Sequence, residues 1–194
     1  MMDANIHMFR MVNDLGKDYT FLNPIFVFIA QYTVYLLGLA VVIYFFSKPA
    51  KNKIMVVSIA FSLVLAEILA KIVGLFHTNN QPFAELAHVN KLIEKTVDNS
   101  FPSDHTILFF TVCFSFFFFG KKGRWLWVIA AFCVGISRIW VGVHYPFDVI
   151  VGALLGILSS YIGYRVIPRL KIVRKIWPSP YKATATDKSR TRNI

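Results

Sequence analysis

Six ionisable residues stand within or at the ends of apolar runs, and their types belong together: Lys71, Asp104, His105, Arg138, His144 and Asp148. Charged groups in membrane spans are costly, so they mark function by default. Ser137-Arg138, five residues, His144, three more and Asp148 make one group. A helix entering at Pro146 and Phe147 puts Asp148 in its first turn, near the His144 side chain. A carboxylate bonded to one imidazole nitrogen fixes the tautomer and leaves the other nitrogen free to attack. Arg138, a permanent planar cation, is suited to phosphate oxygens through paired hydrogen bonds. The other group, Phe101-Pro102-Ser103-Asp104-His105, opens a helix whose free amides and positive dipole end favour a phosphate. His105 is there placed to protonate a leaving oxygen. Two histidines, a lysine, an arginine and two carboxylates at one depth describe a site for an anionic substrate.

Plainer readings stand beside each of these. Glu67 lies four residues before Lys71, a favourable spacing for a helical ion pair. Arg138 can snorkel to the interface, and Ser100, Ser103 and Asp104 can serve as helix caps. What favours chemistry is the spacing of Arg138, His144 and Asp148 taken together. His7, His77 and His88 have no partner visible in sequence and are read as surface residues. The Phe116–Phe119 run is read as lipid-facing bulk, and Trp125, Trp127 and Trp140 as interfacial anchors, with Trp140 near enough to the site to line a groove.

The elements that must position these residues follow from composition. The 194 residues are 56% hydrophobic and 16% charged, with mean hydropathy +0.56. A soluble domain carries about 25% charged residues, so the chain is read as an integral membrane protein, all-α, and not as a disordered chain, a disulfide-knotted peptide or a cytosolic globule. Apolar runs over 24–46, 54–76, 106–119 (extended back to 102), 125–143 and 147–167 predict five spans, with a sixth element possible at the start. An amphipathic segment over 1–23 precedes the membrane domain over 24–167, and a basic tail over 168–194 follows. Cys113 and Cys133 fall inside apolar runs and are read as packing residues. The net charge is +11, but its placement argues against nucleic acid. Lys48, Lys51 and Lys53, then Lys121, Lys122 and Arg124, then nine Lys and Arg from Arg165 onward all fall on one side of the predicted bundle. The positive-inside rule makes that side cytoplasmic and turns the loop over 76–101 and the turn over 142–146 outward.

The Ser137-Arg138…His144…Asp148 spacing resembles the third signature of the type-2 phosphatidic acid phosphatase superfamily, which includes the vanadium haloperoxidases. Pro102-Ser103-Asp104-His105 resembles its second signature, usually Pro-Ser-Gly-His. The Asp variant and its context resemble the bacitracin-resistance undecaprenyl-pyrophosphate phosphatases of Gram-positive bacteria. The likeness runs from about residue 23 to 167. The first signature departs: Lys71 matches, but the arginine that should precede proline is replaced and shifted to Gln81, before Pro82. Lys91, Lys95 or His77 are the candidates for the missing charge. The resemblance implies a polytopic helical membrane phosphatase with a haloperoxidase-like core, acting on a lipid pyrophosphate without metal or cofactor. It implies His144 as nucleophile, Asp148 as its orienting partner and His105 as proton donor, with Lys71, Gln81, Ser103, Asp104 and Arg138 around the phosphate. Hydrolysis of undecaprenyl pyrophosphate would recycle the cell-wall lipid carrier and deprive bacitracin of its target. Another lipid phosphate as substrate, a lipid phosphotransferase reaction, and a bacitracin or lipid transporter subunit are the rivals.

Overall fold

The computed structural model describes residues 2–178, and these are helical with no strand among them. An amphipathic helix α1 (Met2–Asn13) and a single turn α2 (Leu15–Asp18) lead into α3 (Asn23–Gln31) and α4 (Thr33–Phe46). Next come α5 (Ala50–Gly74), a one-turn α6 (Pro82–Glu85), α7 (Asp104–Phe118), α8 (Arg124–Trp140), α9 (Pro146–Val166) and a short α10 (Lys171–Ile176). The basic tail read over 168–194 is described only as far as residue 178, where it forms a 3₁₀ turn and α10; the remainder lies outside the described residues.

The spans differ from the expected five. Among the described residues two helices are long and apolar enough to cross a membrane, Ala50–Gly74 and Pro146–Arg169. A third crossing results if α3 and α4 count as one span, bent by 41° where they meet. The bend has a local cause. Thr33 Oγ1 bonds back to the Ile29 carbonyl at 2.6 Å, and Arg138 Nη1, from another helix, takes the Ala30 carbonyl at 3.0 Å. Side chains that claim helix carbonyls in this way bend the helix at that point. At 15 and 17 residues, α7 and α8 reach about 22 and 25 Å at 1.5 Å per residue, short of the hydrocarbon thickness of about 30 Å.

The centre of the bundle is α7, between α5, α8 and α9. This corrects the reading of the Phe116–Phe119 run as lipid-facing bulk: Phe116 and Phe119 are buried with Phe109, Phe110 and Cys113, while Phe114, Phe117 and Phe118 are partly open. The apolar residues left exposed lie instead on the outer helices. Leu36, Leu39 and Ile43 line α4; Val64, Ile68 and Ile72 line α5; Ile129, Phe132 and Ile136 line α8; Ile150, Leu154 and Leu158 line α9. Three- and four-residue spacing makes each set one helical face, while Ser58, Ser62, Thr111, Ser115, Ser159 and Ser160 are buried inside. An apolar exterior around small polar residues is the arrangement suited to lipid.

Two features set the depth of the site. On α9, Gly152 and Gly156 let the helix lie against α7, since a Cβ on Gly156 would stand 2.9 Å from the Ile107 carbonyl and 2.9 Å from the Phe110 Cβ. Gly142, at φ +84°, turns the chain between α8 and α9 and lies against the Asn90 carbonyl, which a Cβ would meet at 2.8 Å. The helix α1 closes this end of the bundle. Phe9 is fully buried, and Asn13 Nδ2 donates to the carbonyls of Trp140 at 2.8 Å and Asn90 at 3.0 Å. Trp140, expected as an interfacial anchor, is buried beneath this layer: it stacks on Phe26 at 4.0 Å between ring centroids and donates to Asn23 Oδ1 at 2.8 Å. Trp125 is exposed, and Trp127 packs on Phe116.

Candidate active site

His144 lies on the turn ahead of α9, 3% exposed, and Asp148, in the first turn of that helix, is fully buried. The two do not bond directly: His144 Nδ1 and Asp148 Oδ2 are 3.6 Å apart. Ser100 bridges them. Its hydroxyl donates to Asp148 Oδ2 at 2.7 Å and stands 3.0 Å from His144 Nδ1, while its backbone carbonyl is 3.0 Å from the same nitrogen. A carbonyl only accepts, so Nδ1 carries the proton and Nε2 keeps its lone pair. Asp148 Oδ2 also accepts from the Tyr145 amide at 2.9 Å, which ties the carboxylate to the helix start. Burial lowers the His144 pKa; Asp148 opposes the shift, and the cations Lys95 and Arg138 add to it. At neutral pH the imidazole is therefore uncharged.

Beside the histidine lies a cavity of about 530 Å³, lined by Lys95, Asp98, Asp104, His105, Arg138, the end of α3, Tyr32 at the break and Tyr35 on α4. Asp104 and His105 open α7, the first exposed and the second half-buried. Arg138 reaches the cavity from the last turn of α8, 3% exposed. Its Nη1 is anchored on Ala30, and its Nε is buried with no hydrogen-bond partner. An anion in the cavity would satisfy it. Ser103 stands at the N-cap position of α7, fully buried and without a side-chain bond to the helix amides. Its hydroxyl accepts from Thr106 Oγ1 at 3.0 Å, and its amide donates to the Asp148 carbonyl at 3.2 Å, joining the two signature segments.

Two expected phosphate ligands lie elsewhere. Lys71, at the end of α5, is exposed and outside the cavity lining, and its expected ion pair with Glu67 is absent among the described residues. Gln81 is fully buried and faces Asp98: its Nε2 donates to Asp98 Oδ1, and its Oε1 accepts from the Asp98 amide at 3.1 Å. Two residues that face the histidine were not legible as such. Lys95, one of three candidates for the missing charge, puts its ammonium 3.5 Å from His144 Nε2. Ser100 was read only as a possible cap. Both lie in coil between α6 and α7, where no periodicity marks a facing side chain. The one available signal was nearness to the Pro102–His105 motif. The remaining histidines, His7, His77 and His88, are exposed, as expected.

Comparison with known proteins follows the same residues. The chain is 53% identical over 174 residues to the bacitracin transport permease protein BcrC of Bacillus licheniformis, covering 90% of this chain and 86% of that one. It is 28% identical over 162 residues to the undecaprenyl-diphosphatase BcrC of Bacillus subtilis, covering 83% of each. The crystal structure of Aquifex aeolicus LpxE superposes with a TM-score of 0.72 at 28% identity, over 84% of this chain and 95% of that one. The model of the PAP2 superfamily matches residues 51–172, a stretch that holds both signature segments, so the chain belongs to the PAP2 superfamily.

Proposed function

We propose that this membrane protein is an undecaprenyl-pyrophosphate phosphatase working through a phosphohistidine. The observation that carries the reading is the unprotonated Nε2 of a buried, neutral His144, 3.5 Å from Lys95 at the wall of a cavity that Lys95, Arg138 and His105 line. Nε2 attacks the terminal phosphorus, forming a P–N bond as the bond to the bridging oxygen breaks. His105 gives that oxygen its proton, and prenyl phosphate leaves. A water, deprotonated by His105, then attacks the phosphohistidine, releasing inorganic phosphate and restoring the ring. Asp148, through Ser100, holds the ring and stabilises its positive charge in the intermediate. Arg138, with the amide of Asp104 at the α7 start, balances charge on the transferred phosphoryl oxygens.

The names of two relatives, undecaprenyl-diphosphatase and bacitracin transport permease, agree with a role at the lipid carrier that bacitracin sequesters. The bend between α3 and α4, with Tyr32 and Tyr35 exposed at the cavity, supports entry of a lipid substrate from the bilayer. In this reading α7 and α8 cross the membrane too, because α8 presents an apolar face to lipid and α7 is enclosed by its neighbours. The basic clusters lie inside, and the site opens outward.

The permease name favours one other reading, export of bacitracin or of a lipid, and a single comparison separates the two. In bacteria made sensitive to bacitracin, expression of the wild type raises tolerance and His144→Ala does not, provided both reach the membrane in equal amounts. Full tolerance with His144→Ala would favour transport, which does not need a nucleophilic imidazole.

A further inference from the structure

The first signature lacks its arginine, and Gln81, in its place, is buried against Asp98 rather than open to the cavity. A cation is nevertheless present. The coil before α7 carries Lys95 into the cavity, and its side chain, 22% exposed, places Nζ 3.5 Å from His144 Nε2. Asp98 stands between the two: its Oδ1 accepts from Gln81 Nε2 and lies 3.8 Å from Lys95 Nζ. The coil is pinned at both ends, by the Ser100 amide on the Asn79 carbonyl at 2.8 Å and the Leu92 amide on the Val141 carbonyl at 3.2 Å. The lysine is thus held beside the nucleophile by a fixed strap. Lys91, the neighbouring candidate, pairs with Glu94 and lies over the Phe83 ring, outside the cavity lining. His77, the third, packs edge-on against Phe101.

We infer that Lys95 is the cation that binds the transferred phosphoryl group, taking the place of the signature arginine, and that the Gln81–Asp98 pair holds the strap that carries it. The inference rests on the phosphohistidine reading. The ammonium rests against the nucleophilic lone pair. A phosphorus arriving at Nε2 brings oxygens into that space, and Lys95 turns to one of them, uncovering the nitrogen as it neutralises the charge. The transfer itself is unchanged, since Lys95 keeps its protons and its bonds throughout.

The groups facing Lys95 are Glu94 and Asp98 on its own strap, Asp104 and His105 on α7, Arg138 on α8, and His144 and Asp148 at the α9 start. Burial brings its pKa below the ordinary lysine value; Asp98 opposes this, and Arg138 adds to it. Rising pH therefore removes the ammonium earlier than in a free lysine.

The test uses the full chain in detergent, assayed for phosphate release from undecaprenyl pyrophosphate and for inhibition by orthovanadate, an inorganic phosphoryl analogue. Lys95→Ala and Lys95→Gln are expected to lower kcat/KM by about 100-fold and to weaken orthovanadate inhibition at least roughly tenfold. Lys95→Arg is expected to retain most activity, and Lys91→Ala all of it. Wild-type kcat/KM and orthovanadate sensitivity in Lys95→Gln would overturn the inference. Where Lys95→Ala or Lys95→Gln fails to fold, Lys95→Arg keeps the proposal falsifiable: a folded Lys95→Arg, with the cation still in place, that loses activity and orthovanadate sensitivity would also overturn it. Absence of release by the wild type would instead strike the phosphatase reading itself.

Discussion

A serine hydroxyl between an imidazole and a carboxylate orients the ring without charging it. Ser100→Ala removes the donor to Asp148 Oδ2 and leaves the backbone carbonyl that accepts from Nδ1. Hydrogen bonds to a charged group contribute about 1.5–3 kcal/mol, so kcat is expected to fall roughly 10- to 100-fold, less than in His144→Ala. Stopped assays of the two variants side by side check this, and a Ser100→Ala enzyme as fast as wild type would contradict the bridge. The pH profile carries a second expectation. Protonation of Nε2 removes the nucleophile, so activity is lost as pH falls through the folded-state pKa of His144. That pKa is lowered, chiefly by burial, and the acid limb of kcat/KM therefore lies below the free-imidazole value of about 6.5. A limb above that value would mean that the ring binds its proton more tightly than its burial allows. At this scale the spacing of Arg138, His144 and Asp148 foretold their convergence with His105, because short helical spacing fixes direction. Ser100 is legible only as a possible cap, and Lys95 only as one of three candidates that the sequence does not separate: coil residues take their positions from distant partners such as Asn79, Gln81 and Val141.

The helices show why the site holds its depth. Because a side chain at Gly156 would press on the α7 backbone, Gly156→Leu is expected to separate α9 from α7. Overpacking of this kind costs about 1–3 kcal/mol, read as a lower Tm in detergent together with lost activity, since Asp148 and Ser103 are joined across that contact. A Tm equal to wild type would mean that the helices do not meet closely there. Asn13 tests the other cover. It bonds the carbonyls of Trp140 and Asn90 and accepts from the Asn90 amide at 2.9 Å. Asn13→Ala leaves those groups buried without a partner and should destabilise by about 1–3 kcal/mol, again as a drop in Tm. Apolar runs located the helices well, yet two of their features were hidden. The break at Tyr32 depends on Thr33 and on an arginine more than a hundred residues away. The burial of α7 depends on which neighbours surround it, and a run of phenylalanines reads the same whether lipid or protein covers it.

At the scale of the molecule, an apolar exterior and a polar cavity at one end fit the proposed phosphatase of a lipid substrate. The proposed outward orientation has a direct check in a background without Cys113 and Cys133. A cysteine at Thr78, exposed in the coil after α5, should react with a membrane-impermeant thiol reagent in intact cells, and one at Lys122 only after permeabilisation. The reverse pattern would turn the site inward. The all-helical class was legible from composition. The number of spans was not, because α7 and α8 are shorter than a bilayer and carry Asp104 and Arg138 at the ends that form the site. The most direct test of the central claim is phosphate release from undecaprenyl pyrophosphate by the purified protein in EDTA, with His144→Ala in parallel. The expected result is steady release by the wild type and none by His144→Ala; release by both, or by neither, would contradict a histidine phosphatase.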